Sequence, residues 1–123
     1  MMNSANTLLK PFELSGVGVH SGATITLRFE PSHQPGIRFI VNDAPPIMAD
    51  LSHYRTTNRA TILGHESAQL STPEHLLAAC YGIGLTDCNI YCSGTEIPIM
   101  DGSALPFLEG IESVGMTPRP QSA

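Results

Sequence analysis

Three cysteines, six basic side chains and no apolar run of membrane-spanning length are found in 123 residues, and each shortage removes a class of protein. Six Lys and Arg against eleven Asp and Glu give a formal net charge of −5 and a pI near 5.4. Nucleic acids and anionic membranes are bound through basic patches, so no nucleic-acid partner is expected. Cys80, Cys88 and Cys92 are odd in number and lack Cys-x-x-Cys spacing. That speaks against a disulfide framework and a zinc ribbon. The longest apolar-rich stretch, Leu76 to Leu85, falls far short of the roughly 20 residues that span a bilayer, so no transmembrane segment is expected. Met1-Met2-Asn3-Ser4 lacks the basic flank and apolar block of a secretion signal, which makes a cytoplasmic location the expectation. Gly16, Gly18 and Gly22 have the wrong spacing for a dinucleotide fingerprint, and no G-x-S-x-G nucleophile elbow occurs.

What is present suffices for a packed core. Hydrophobic residues make up 41% and charged residues 14%, a balance of folded rather than disordered chains. The length is that of one domain, expected over residues 1–116. A flexible tail is expected over 117–123, where Pro118 and Pro120 recur. Eleven glycines and ten prolines punctuate the chain into short elements. Ile25, Leu27 and Phe29 alternate with polar neighbours from Ala23 to Glu30, the period of a half-buried strand. Thr7–Leu14, Ile37–Val41, Ile47–Ala49, Thr56–Leu63, Ala68–Leu70 and Asp87–Cys92 read as further strands. Cys88 and Cys92 share the parity of Ile90 and read as core. Thr72–Tyr81 reads as a helix opened by a Ser71-Thr72-Pro73-Glu74 capping box and ended near Gly82. Ala104–Val114 reads as a second helix, capped by Asp101 or Ser103, with an apolar stripe of Leu105, Leu108 and Ile111. The expected fold class is α+β: a two-layer sandwich, one mostly antiparallel or mixed sheet with two helices packed on one face.

The local chemistry centres on Glu74-His75 in the first turn of the Thr72 helix. Helix starts expose unpaired N–H groups and favour negative charge. A histidine with a neighbouring carboxylate is also what a hydrolytic zinc site uses, the imidazole holding the ion and the carboxylate taking a proton from water. The positions three and four after His75 are Ala78 and Ala79, so this helix offers one ligand where a catalytic zinc takes three from protein. A capping glutamate beside an ordinary boundary histidine is the competing reading of the pair. His20 lies in a glycine-rich turn that permits close approach, while His33, His53 and His65 read as surface residues of polar turns.

In combination the motifs are more specific. Gly16-Val17-Gly18-Val19-His20-Ser21-Gly22, Thr57-Asn58-Arg59-Ala60-Thr61, Ser71-Thr72-Pro73-Glu74-His75-Leu76-Leu77-Ala78-Ala79 and Glu96-Ile97-Pro98-Ile99-Met100-Asp101-Gly102-Ser103-Ala104 follow one another in this order. Over roughly residues 7–115 the series resembles the N-terminal domain of bacterial UDP-3-O-acyl-N-acetylglucosamine deacetylase, the zinc amidase of lipid A biosynthesis. The resemblance implies that Glu74 is the general base and His75 one zinc ligand. It places His20 near the active-site mouth, Asn58 and Arg59 in a segment bordering the site, and Asp101 in a structural role at the last helix. Pro73 departs from the family pattern, which has an aliphatic residue there. In the family a second domain supplies the remaining zinc ligands from a His-Lys-x-x-Asp motif, which these 123 residues do not contain. The expectation is therefore half of a deacetylase acting on a UDP-linked acylated glucosamine, with a shared zinc site and inactive without a second deacetylase domain or a homodimer partner. The alternative is a non-catalytic paralogue serving as a binding or assembly module.

Overall fold

The computed structural model describes residues 5–42, 44–50, 54–56, 61–65 and 68–119, with backbone alone at 54–56, 61, 65 and 68. Its elements in chain order are β1 (Asn6–Leu8), β2 (Phe12–Val17), β3 (Thr24–Pro31), β4 (Ile37–Val41), β5 (Ile47–Met48), β6 (Tyr54–Thr56), β7 (Thr61–His65), β8 (Ala68–Ser71), α1 (Glu74–Ile83), β9 (Cys88–Cys92), α2 (Leu105–Val114) and β10 (Met116–Pro118). Five strands form a mixed sheet in the order β2-β3-β9-β4-β5. Within it β4 and β9 run parallel, and the other neighbours are antiparallel.

Alternation along the strands decides which sheet face is buried. Ile25, Leu27 and Phe29 of β3 are buried, and so are Ile37, Phe39 and Val41 of β4 and Cys88, Ile90 and Cys92 of β9. The register aligns Phe12, Phe29, Ile90, Phe39 and Ile47 in one row across all five strands. The Phe12 and Phe29 rings stack with centroids 4.3 Å apart. Leu76, Leu77, Ala79 and Cys80 of α1 and Phe107 and Ile111 of α2 share this core, so both helices cover the same face. Burying a side chain such as Phe29 or Phe107 stabilises the fold by about 1.5–3 kcal/mol each. The opposite face carries Glu13, Arg28 and Glu30, which pair as ions, and Arg38, which donates to Asn89 at 2.8 Å. An α+β sandwich with a mixed sheet results, as the sequence predicts.

Two smaller sheets complete it. β6-β7-β8 is antiparallel and adds Leu63 and Leu70 to the core. β1 pairs with β10, so Thr117 and Pro118, expected in a tail, lie in a strand. Thr7 to Leu14, read as one strand, is two. Pro11 has no N–H to give to a ladder, and the chain changes partner there from β10 to β3. Helix α1 runs on past Gly82 to Ile83. It ends at Gly84, whose left-handed φ of 92° lets its N–H reach Cys80 O.

Candidate active site

Glu74 and His75 open α1, Glu74 exposed and His75 half-buried. The expected capping box is absent, and the reason lies in long-range pairing. Ser71 belongs to β8 and is bridged to Glu96: its N–H donates to Thr95 O at 2.9 Å, and its carbonyl accepts from Ile97 N–H at 3.0 Å. Thr72 then turns the chain with φ of 61°, a conformation costly for a β-branched residue. Pro73 occupies the cap position, without a side-chain hydrogen bond. A proline there has no side-chain acceptor to offer the N–H groups of the first turn.

Asp101 stands just before α2. Its Oδ1 accepts from Ser103 N–H at 2.9 Å and from the Ser103 hydroxyl at 2.7 Å. The Ser103 Oγ in turn accepts from Leu105 N–H at 3.2 Å, but the cap position belongs to Ala104, without a side-chain cap hydrogen bond, and not to Asp101 or Ser103 as the sequence suggests. The Ser103 hydroxyl and amide hold the Asp101 carboxyl below its usual range, with a smaller contribution from the charge of His75. Met100, immediately before it, has φ of 55°. Left-handed non-glycine residues thus precede both Glu74 and Asp101 closely.

His20 is exposed in the turn between β2 and β3. Gly18 N–H donates to Ala23 O at 2.9 Å and Gly22 N–H to Gly18 O at 2.8 Å. The buried carboxylate of Glu96 accepts from His20 N–H at 3.1 Å and from Ser21 N–H at 2.9 Å. Burial pushes the Glu96 carboxyl up, but the Ser21 hydroxyl, the two amides and the His20 charge outweigh it and hold it below the usual range. Glu96 is the residue whose part the sequence did not announce. It stands in a specific motif, yet its partner is 76 positions away.

Asn58, Arg59 and His53 lie outside the described residues. Among the described residues, no three His, Cys, Asp or Glu side chains gather as metal ligands. Within the described residues His75 offers one nitrogen, with Glu74 next to it, where a catalytic zinc takes three protein ligands. Cys80, Cys88 and Cys92 are free and buried, and burial pushes Cys80 and Cys92 up to about 12 and Cys88 upward as well. Such thiols are neither nucleophiles nor ready ligands. A depression of about 360 Å³ lined by Arg28, Glu30, Pro31, Asn89 and Tyr91 lies on the outer sheet face and contains none of the site residues. No helix among the described residues is long and apolar enough to cross a membrane.

Comparison with known proteins gives this arrangement a context. A family model described as LpxC, UDP-3-O-acyl N-acetylglycosamine deacetylase, matches residues 5–123. The UDP-3-O-acyl-N-acetylglucosamine deacetylase of Leptospira biflexa is 42% identical over 115 residues, which cover 89% of this chain and 38% of that protein. The enzyme of the same name from Myxococcus xanthus is 42% identical over 114 residues, 89% of this chain and 36% of that one. The bifunctional enzyme LpxC/FabZ of Chlorobaculum tepidum is 37% identical over 120 residues, 94% of this chain and 26% of that protein. The chain thus spans little more than a third of the length of the deacetylases it matches. With the family model matched over nearly its whole length and relatives of about 40% identity along most of it, the chain belongs to the UDP-3-O-acyl N-acetylglycosamine deacetylase family.

Proposed function

We propose that residues 1–116 act as the N-terminal half of a zinc-dependent UDP-3-O-acyl-N-acetylglucosamine deacetylase of lipid A biosynthesis, working in the cytoplasm. The observation that carries the reading is the Glu74–His75 pair on the first turn of α1, in a chain of this family. In this reading His75 gives one ligand to a zinc whose other ligands come from a second deacetylase domain. Zinc, when bound, supplies polarisation of the amide carbonyl and acidification of water. Glu74, exposed beside His75, takes a proton from the attacking water at its carboxylate, where the helix N-terminus favours negative charge. His20, Asn58 and Arg59 border the substrate, and Asp101 serves structure by fixing the entry to α2. The reaction releases acetate and leaves a free amine on the UDP-linked acylated sugar. Exposed apolar side chains beside the motifs, Val17, Val19 and Leu105, suit coverage by that second domain.

The test is acetate release from the acylated UDP-sugar by the chain co-expressed with a second deacetylase domain. The expected outcome is turnover, with Glu74→Ala lowering kcat by about 10²–10⁴-fold, the usual weight of a general base. Full activity of Glu74→Ala, or no turnover by the unsubstituted complex, contradicts the proposal.

A further inference from the structure

Glu96 lies at the seam between two motif-bearing segments. Its main chain runs parallel to Ser71, bonded on both sides of the bridge, and three residues further on Glu74 begins α1. Its side chain points the other way, one oxygen on the His20 amide and the other on the Ser21 amide. The residue is 4% exposed, and a Cβ on Gly18 would overlap its carboxylate. Closing the turn does not require this arrangement, because Gly18, Gly22 and Ala23 already close it through the main chain. Removing a carboxylate from water is costly. What Glu96 adds is a fixed relation between the His20 turn and the β8–α1 junction.

We propose that Glu96 is a positioning residue, which locks the His20 turn to the start of α1 so that His20, Glu74 and His75 keep fixed places relative to one another. The inference rests on the reading of Glu74 and His75 as part of a deacetylase site. Glu96 touches no reacting atom; it acts through the two segments it joins.

Glu96→Gln keeps size and shape but turns an NH2 toward one of two N–H groups, so one of the pair loses its acceptor. Gly18→Ala puts a Cβ where the Glu96 carboxylate sits and so displaces it while leaving Glu96 itself unsubstituted. Asp87→Asn is the control: it alters a buried carboxylate at the opposite end of the sheet, paired with Arg119 at 2.7 Å. Amide hydrogen exchange of the chain itself is the first measurement. Exchange at His20 and Ser21 accelerates about tenfold or more in both Glu96→Gln and Gly18→Ala, and not in Asp87→Asn. The second is steady-state kinetics in the complex with a second deacetylase domain. There kcat falls by about 10²-fold, the effect of an ångström-scale misplacement, with KM little changed, whereas Asp87→Asn lowers the melting temperature and spares kcat. Unaltered exchange at His20 and Ser21 overturns the inference whatever the kinetics. An active complex in which Glu96→Gln keeps its kcat, or in which Asp87→Asn loses as much, also overturns it while leaving the deacetylase reading in place. A complex without turnover before any substitution counts against the deacetylase reading, and with it against a positioning role.

Discussion

A carboxylate that has left water keeps its charge only where fixed donors replace the solvent. Glu96 has such donors in the Ser21 hydroxyl and the Ser21 and His20 amides, and they more than offset its burial. Its folded-state pKa is therefore lower than its unfolded one. The stability it contributes is fully present above the usual glutamate range and is lost as pH falls through the lowered folded value. Glu96→Gln is expected to cost about 1–3 kcal/mol at pH 7, the range for stranding a buried donor. The gap between the two proteins in urea unfolding should narrow steadily on acidification below the glutamate range. A gap that widens in acid would show that the carboxylate is not the stabilising form. Nothing in the sequence announces the partners of this residue, because hydrogen bonding across 76 positions leaves no periodic trace. Glu74 and His75 are legible as a candidate pair for the opposite reason: they are adjacent in the sequence.

Elements follow the same division between local and distant causes. The β3 pattern Ile25, Leu27, Phe29 is buried in alternation as its sequence predicts, because facing one core layer is a local matter. The Ser71-Thr72-Pro73-Glu74 capping box fails because Ser71 is claimed by Thr95 and Ile97 from another part of the chain. Packing of α2 on β2 also turns on one residue. A Cβ on Gly110 would collide with the Phe12 ring, itself stacked on Phe29. A helix-interior glycine normally loses about 0.5–1 kcal/mol relative to alanine, so Gly110→Ala at a free surface would stabilise. Here the expected outcome is the reverse, a loss of about 1–3 kcal/mol from overpacking, read as a lower urea midpoint with an unchanged m-value. A raised midpoint would mean that α2 and the aromatic pair have room to spare.

Across the whole molecule, both ends of the described chain are tied to the sheet rather than left hanging. β1 and β10 pair, Arg119 donates to Asp87 at 2.7 Å, and the other Asp87 oxygen accepts from Gly36 N–H at 2.7 Å. The Pro-rich composition after Met116 hid this strand, because its partner lies more than a hundred residues earlier. The same architecture presents Glu74 and His75 from the helical layer, while Val19 and Leu105 are exposed. In the proposed function His75 supplies one imidazole where a catalytic zinc takes three protein ligands. In the proposed function, the chemistry is divided between Glu74 and His75 and a second deacetylase domain. Zinc content of the purified chain, measured by elemental analysis with and without a second deacetylase domain bound, tests this most directly. The account predicts no stoichiometric zinc in the chain alone and about one zinc per complex. Tight one-to-one zinc in the chain by itself would contradict it.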